Sequence, residues 1–303
     1  MLNRFKNIVI GAAPFSENPS DLHRVSQTLK HLKMVEGRNL HVLSMLNPTR
    51  LDWPRTFDYE SWTGGLRRRA ELDLNERCEA AQLAGRVDVK VIERAELSQS
   101  KDIRFFLKEC ENLSADLIVV HTQTKSVNKA FLGSFCYGVL NASQVPVLVL
   151  PFSEPPPPTI RKILFTTDFS NLSLDVLRAL LETGRFLDAG IVVFHMLSQI
   201  APDLGAKELA KKSNELEDWK KNAVENGCVL EGKLQPFGLN RVTSILNAAD
   251  DVGADLIVMT SRMSAFEAPT FGITVKQVVR QAKVPVLIVP VPYTPPGQWS
   301  EEI

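Results

Sequence analysis

The chain has 303 residues and carries 35 basic and 35 acidic side chains, so its formal net charge is zero. Without an overall basic field it has no electrostatic means of holding nucleic acid or an anionic membrane, and we expect neither as a partner. Four scattered cysteines form no CxxC pair, which argues against zinc or a disulfide framework. Together with the lack of a signal-peptide pattern or a membrane-length apolar run, this predicts a cytoplasmic protein.

The first half alternates strand-like and helix-like segments. Continuous apolar, β-branched runs predict buried strands, and apolar residues at helical spacing predict helices. The predicted strands are Asn7–Ala13, Asn39–Met45, Val87–Ile92, Leu117–Val120 and Val145–Leu150. The predicted helices are Leu22–Met34, Leu66–Ala84 and Lys101–Leu113, with a fourth between the last two strands. This alternation indicates an α/β protein with a parallel, doubly wound sheet.

An irregular, aromatic-rich stretch is predicted at Asn47–Gly65. It contains Trp53, Phe57, Tyr59 and Trp62. Aromatic residues at this density more often pack a loop onto the core than form a ligand cage, and a lid over a site is the alternative. The basic run Arg67–Arg69 that follows is better interpreted as the solvated start of a helix than as an anion site.

Four consecutive prolines, 155–158, lie in the segment Pro151–Lys162. Such a run favours a stiff polyproline II spacer of about 3.1 Å per residue. We therefore predict a domain boundary here. The expected units are a first domain at 1–150, a linker at 151–162, a second domain at 163–292 and a tail at 293–303.

The second half repeats the alternation of the first. It restarts with a strand at Lys162, and its first helix carries Leu174, Leu177 and Leu181 on one face. The later predicted strands are Ile191–Met196, Cys228–Leu234, Leu256–Met259 and Val284–Val289. The later predicted helices are Gly205–Asn226, Arg241–Val252 and a last one over VKQVVRQA.

One stretch occurs twice, at Ala115–Val149 and at Ala254–Val289. ADLIVVHT and QVPVLVLP in the first copy correspond to ADLIVMTS and KVPVLIVP in the second, at an offset of 139 residues for both pairs. A constant offset across two strands indicates a tandem duplication. In each copy a glycine, Gly133 or Gly272, precedes a helix, where backbone N–H groups and the helix dipole favour an anion. A glycine that only allows a tight turn is the alternative.

The segments KILFTTDFS, VVFHML, ADLIVM and KVPVLIVP resemble the universal stress protein family, and the resemblance covers nearly the whole chain. It implies a tandem member in which each half has a five-stranded parallel sheet of order 3-2-1-4-5. It also implies ATP as the cofactor to consider. In the family, ATP is bound by an aspartate after the first strand and by a loop G-x-x-G-x9-G-[S/T] after the fourth.

In the second half, Asp168 matches the aspartate of the family pattern and Gly272 matches the last loop glycine. Ile273 replaces the Ser or Thr, and Thr274 is one residue too late but offers a hydroxyl. Arg262 stands where the pattern has its second glycine. Its side chain would either crowd the phosphate path or clamp a phosphate by charge.

In the first half, Gly133 and Ser134 match the end of the loop, but Ala13 stands where the aspartate should be. The other loop positions also hold no glycine: they are Val120 and Gln123 in the first half and, beside Arg262, Met259 in the second. Neither half therefore has a complete nucleotide site. Two or three lost contacts, at about 1 kcal/mol each, would weaken binding by roughly 100-fold.

These observations favour a non-enzymatic tandem stress-response protein that acts through protein partners or conformation, with ATP binding weakened or lost. The alternative is an adenine-nucleotide switch in the second half with, at most, slow ATP hydrolysis. No catalytic residue or metal ligand set is evident, and the motifs of other nucleotide-binding α/β enzymes are absent. His121 and His195, at strand ends, are better explained as core or rim histidines than as catalytic groups.

The final strands of the two halves, Val147–Leu150 and Val286–Val289, are apolar sheet edges in the implied strand order. Exposed edges of this kind invite pairing. We expect them to pair within the chain, as single-domain relatives pair between subunits. Whether the chain also forms a homodimer is left open.

Overall fold

The structure is a computed structural model that describes residues 1–15, 21–46, 59–83, 86–93, 99–122, 133–151, 156–198, 202–236, 240–262 and 272–292. The strands are β1 (Asn7–Gly11), β2 (Asn39–Leu46), β3 (Arg86–Glu93), β4 (Leu117–His121), β5 (Val147–Leu150), β6 (Lys162–Thr166), β7 (Gly190–Met196), β8 (Leu230–Gln235), β9 (Leu256–Arg262) and β10 (Val286–Val291). The helices are α1 (Asp21–His31), α2 (Tyr59–Ala80), α3 (Gln99–Asn112), α4 (Ser134–Ala142), α5 (Asn171–Leu187), α6 (Pro202–Glu225), α7 (Arg241–Val252) and α8 (Ile273–Gln281). A short 3-10 helix, Leu2–Arg4, precedes β1.

The ten strands form one sheet in the order β3-β2-β1-β4-β5-β10-β9-β6-β7-β8. Each half shows the expected order 3-2-1-4-5 with parallel pairing. The halves meet where β5 runs antiparallel to β10, with Leu148 opposite Leu287. This confirms the predicted pairing of the final strands, so the two five-stranded sheets are continuous. On one face of the junction, the ammonium of Lys276 lies 4.0 Å from the ring centroid of Tyr137.

Helices cover both faces of the sheet, because the strands bury side chains in both directions. In β1, Ile8 and Ile10 pack in the core formed with α1, α2, α5 and α6, while Val9 packs in the core formed with α3, α4, α7 and α8. Each core contains residues of both halves. Within the described part of the chain, every helix is too short or too polar to cross a bilayer.

The aspartate of the repeated ADLIV motif has the same structural role in both halves. The Oδ2 atom of Asp116 accepts hydrogen bonds from the backbone N–H groups of Lys6 and Asn7, at 2.7 and 2.9 Å. Asp255 does the same for Arg161 and Lys162, at 2.8 and 3.0 Å. The motif therefore ties the start of the fourth strand to the start of the first.

The N-terminal segment of the first half packs on α5 of the second. The backbone N–H of Leu2 donates to Thr183 Oγ1 at 3.0 Å in a buried contact, and Arg4 forms an ion pair with Glu182 at 2.5 Å. Lys33, beyond α1, donates to the Phe186 carbonyl at 3.0 Å. These contacts join the two halves on the face opposite Lys276.

One predicted boundary was wrong by seven residues, because α2 begins at Tyr59 and not at Leu66. The run Arg67–Arg69 is exposed as expected, but it lies inside the helix, where Arg67 pairs with Glu71 at 3.0 Å. Most of the predicted aromatic stretch, residues 47–58, lies outside the described residues, and so do residues 152–155 of the proline-rich linker. The predicted roles of both segments therefore stay predictions.

Candidate functional site

Strand register aligns the two candidate sites. Ile10 pairs with Val119 as Phe165 pairs with Val258, so β1 and β6 are offset by 155 residues and β4 and β9 by 139. Ala13 of the first half therefore corresponds to Asp168 of the second. Both follow the carboxyl end of a central strand, where ligands of doubly wound sheets bind.

The Asp168 carboxylate is exposed, and it caps the start of α5. Its Oδ1 atom accepts from the Ser170 N–H at 2.9 Å and from the buried Ser173 hydroxyl at 2.8 Å. The Ser170 side chain accepts in turn from the Ser173 N–H. Asp168 thus has a structural function that a ribose hydroxyl would have to share or displace.

Phe169 fills the space beside Asp168 on the α6 side. Its backbone is left-handed, with φ 59°, a conformation that costs a phenylalanine roughly 1 kcal/mol or more. Its ring packs at 4.6 Å from the Trp219 ring and at 5.2 Å from the His195 ring, and the Lys212 ammonium lies 4.8 Å from its centroid. These aromatic and cation–π contacts stabilise the strained turn.

His195 ends the apolar run of β7 and is nearly buried. Its Nδ1 atom lies 2.8 Å from the Thr167 carbonyl oxygen, which can only accept, so Nδ1 carries a proton. Its Nε2 atom faces Glu208 at 3.7 Å, and Glu208 accepts from the Ser198 N–H at about 3 Å. The ring thus links the end of β6 to the start of α6.

The start of α8 leaves its first N–H groups without a side-chain cap. Gly272 is the N-cap residue and is exposed, and a Cβ at this position would meet no atom of the described residues within 4 Å. Ile273, in the place of the family's Ser or Thr, has 76% of its surface exposed. Thr274 is partly buried in the first turn. Arg262 ends β9, next to β6, so its backbone lies at the same edge as Asp168; its side chain lies outside the described residues.

The start of α4 has the same geometry in the first half. Gly133 is the N-cap residue, with φ −52°, and Ser134 is exposed. Val120 and Met259, to which our spacing assigned the first loop glycine, lie inside β4 and β9 and are buried. Gln123 is outside the described residues.

A buried ion cluster occupies the end of β1 in the first half. The guanidinium of Arg77, from α2, donates to the Ala13 carbonyl at 3.0 Å, to Asp73 at 3.0 Å and to Asp21 at 2.5 Å. Asp73 also accepts from the Phe15 N–H at 3.0 Å. Arg77 and Asp21 are 9% and 8% exposed, so the pair is withdrawn from water.

His121, the last residue of β4, lies in the field of the same cluster. Burial lowers its pKa below the ordinary value, and the negative charge of Asp21 opposes this shift, while Arg24 and Arg77 add to it. Its Nε2 atom is buried without a hydrogen-bond partner in the described part of the chain. A neutral imidazole therefore fits this environment better than a charged one.

The sequence analysis missed Arg77 and its two carboxylates. The only local signal is the i,i+4 spacing of Asp73 and Arg77 on a predicted helix, which is more often a solvent-exposed pair. Asp21 lies 56 residues from Arg77 and reaches it only through the packing of α1 on α2.

A model of the universal stress protein family matches residues 4–151 and, a second time, residues 159–290. No match was found among curated proteins.

Solved structures of that family have the same fold. A universal stress protein from Archaeoglobus fulgidus DSM 4304 superposes with a TM-score of 0.68 at 20% identity, covering 93% of this chain and 95% of that chain. A putative universal stress protein from Pseudomonas aeruginosa UCBPP-PA14 gives 0.62 at 16% identity, covering 95% and 94%. A third, from Archaeoglobus fulgidus in complex with dAMP, covers 42% of this chain and 96% of that chain, with a TM-score of 0.35 at 22% identity.

Proposed function

Since this chain belongs to the universal stress protein family, with one copy of the fold in each half, we propose that it is a non-enzymatic stress-response scaffold. It acts in the cytoplasm by presenting a conformation or a surface to protein partners. Its adenine-nucleotide binding is lost in the first half and weakened in the second. The observation that carries this proposal is the difference at the position of the family's aspartate: the first half has Ala13 there, and the second half has Asp168.

The first half has replaced the nucleotide carboxylate with a protein contact. Ala13 has no side chain to accept from a ribose, and its carbonyl already accepts from Arg77. The intact loop end at Gly133 and Ser134 offers backbone N–H groups, but a helix start alone gives a weak anion site. In the first half, this position therefore serves to stabilise the fold and not to bind a ligand.

The second half retains the carboxylate but uses it internally. Asp168 caps α5 through Ser170 and Ser173, and the adjoining space holds the ring of Phe169. The hydrophobic Ile273 stands where a hydroxyl would meet a phosphate. Each of these differences removes a favourable contact, and together they support weak binding.

A second candidate function is an adenine-nucleotide switch confined to the second half, with slow hydrolysis at most. Two features favour it: Asp168 remains exposed, and the start of α8 is open around Gly272. Arg262 and Thr274 would then hold the phosphates, Arg262 by charge and Thr274 through its hydroxyl.

The test is to denature the purified protein, identify released small molecules by mass spectrometry, and then titrate ATP–Mg²⁺ into ligand-free protein by calorimetry. Asp168→Asn keeps an oxygen acceptor for the α5 cap and removes the charge. Asp175→Asn, an exposed position on the same helix that pairs with Arg178, is the matched control.

For the scaffold, we expect no released nucleotide and no saturation in the micromolar range. Released ATP, or micromolar binding that Asp168→Asn abolishes and Asp175→Asn preserves, would establish the switch instead. Binding that both variants preserve would contradict the assignment of the site to Asp168.

A further inference from the structure

The Arg77 cluster joins three separate elements around the first-half site. One guanidinium nitrogen bonds to the Ala13 carbonyl after β1 and to Asp73 on α2, and the other bonds to Asp21 at the start of α1. Asp73 extends the cluster to Phe15 in the turn after β1. The Arg77 side chain thus contacts the segment after β1, the start of α1 and α2 at once.

The cluster is stable only when it is complete. A buried guanidinium and a buried carboxylate have both lost their hydration, and their mutual attraction and hydrogen bonds compensate for it. Removing Arg77 leaves the buried carboxylate of Asp21 uncompensated, which is more destabilising than removing the whole cluster. Opening the first-half site would break these contacts, and we expect it to be energetically unfavourable for that reason.

The residue that corresponds to Arg77 differs in the second half. Cys78 and Ala223 accept the equivalent hydrogen bonds at the ends of α2 and α6, which aligns these helices at an offset of 145 residues. Arg77 then corresponds to Asn222, which is exposed. Asp168 accordingly remains exposed at its site.

We propose that Arg77 is a built-in occupant of the first-half site. Its guanidinium takes the place of an external ligand and holds the end of β1, the start of α1 and α2 together, an autoinhibitory contact that keeps this site closed. This inference rests on the proposed division of function between the halves, since it explains why the first half needs no ligand.

The experiment compares Arg77→Met with the triple variant Asp21→Asn/Asp73→Asn/Arg77→Met, which removes all three charges. Arg67→Met, an exposed arginine on the same helix, is the control. Thermal unfolding and amide hydrogen exchange of residues 13–15 and 21–31 are measured for each full-length protein. ATP–Mg²⁺ binding is measured in an Asp168→Ala background, which removes the carboxylate of the second-half site.

We expect Arg77→Met to lower Tm by about 5–10 °C and to accelerate exchange at least tenfold in both segments. The triple variant should recover at least half of the lost Tm, and Arg67→Met should stay within about 1 °C of wild type. Asp168→Ala protein with Arg77 intact should bind no ATP.

The inference would be overturned if Arg77→Met behaved like Arg67→Met, or if ATP binding persisted in the Asp168→Ala protein. A triple variant as unstable as Arg77→Met would show that packing and not charge closes the site, and would overturn it as well. Micromolar ATP binding that Asp168→Ala abolishes would end the scaffold proposal alone and leave the role of Arg77 intact.

Discussion

At the residue scale, we expect the partly buried His121 to make the stability of the first half depend on pH. The unfolded chain takes up a proton at the ordinary histidine pKa of about 6.5. In the folded protein burial lowers the pKa of His121, so the unfolded state binds more protons once the pH falls below this value. Stability therefore rises with pH in this range and is lost as the solution is acidified.

We expect His121→Asn to reduce the loss of stability between pH 7 and pH 5, because it removes a group that resists protonation. Urea denaturation midpoints across this range provide the measurement. His23→Asn, at an exposed position on α1, should keep the wild-type dependence. Equal pH profiles for wild type and His121→Asn would contradict the assignment.

The four cysteines are buried, and burial raises the pKa of each thiol, that of Cys78 to about 11. Because the thiolate is the reactive form, native protein at pH 8 should react slowly with Ellman's reagent. All four thiols should react at once in about 6 M guanidinium chloride. Rapid labelling of a thiol in the native protein would show that one of them opens to solvent.

At the scale of elements, sequence patterns located most strands and helices but not the start of α2. The bounds of α7 agree at both ends, since Asn240 caps its first turn and Gly253 ends it with φ 62°. The apolar stripe of α2 begins only at Leu66, and the preceding Gly64 and Gly65 disfavour a helix. The helix nevertheless begins at Tyr59, against that local preference.

The candidate site was also predictable only in part. Asp168 and Gly272 follow from motif and spacing, because both lie directly after or before a regular element. The contacts of Arg77, Asp21 and Ala13 depend on how α1 and α2 pack over β1. No local pattern contains that information.

Gly184, inside α5, tests close packing against helix propensity. An added Cβ would lie 2.9 Å from the Ala189 carbonyl oxygen and 3.1 Å from Cys228 Sγ. Gly184→Ala should therefore destabilise the protein by about 1–2 kcal/mol, although alanine is the better helix former. Gly65→Ala, in α2 with open space around it, should stabilise by about 0.5–1 kcal/mol. Urea denaturation measures both, and a stabilised Gly184→Ala would refute the packing argument.

At the scale of the whole molecule, the two halves share their sheet and both hydrophobic cores. Strands β5 and β10 place Leu148 and Leu287 opposite each other, and each is at most 1% exposed. The contacts of Leu2 and Arg4 with α5 close the same face of the junction. The junction between the halves therefore resembles the core of one domain more than an interface between two separate domains.

We therefore expect the halves to unfold together, and Leu148→Ala is the decisive variant. Removing this side chain leaves a cavity shared by both halves, which should lower Tm by about 5 °C or more while calorimetry still records one transition. Leu72→Ala, at a position 55% exposed on α2, is the control and should change Tm little. If the halves were independent, Leu148→Ala would split the transition and shift only the component that belongs to the first half. A single shifted transition would mean that neither half retains its fold without the other, so that partners meet one rigid ten-stranded unit.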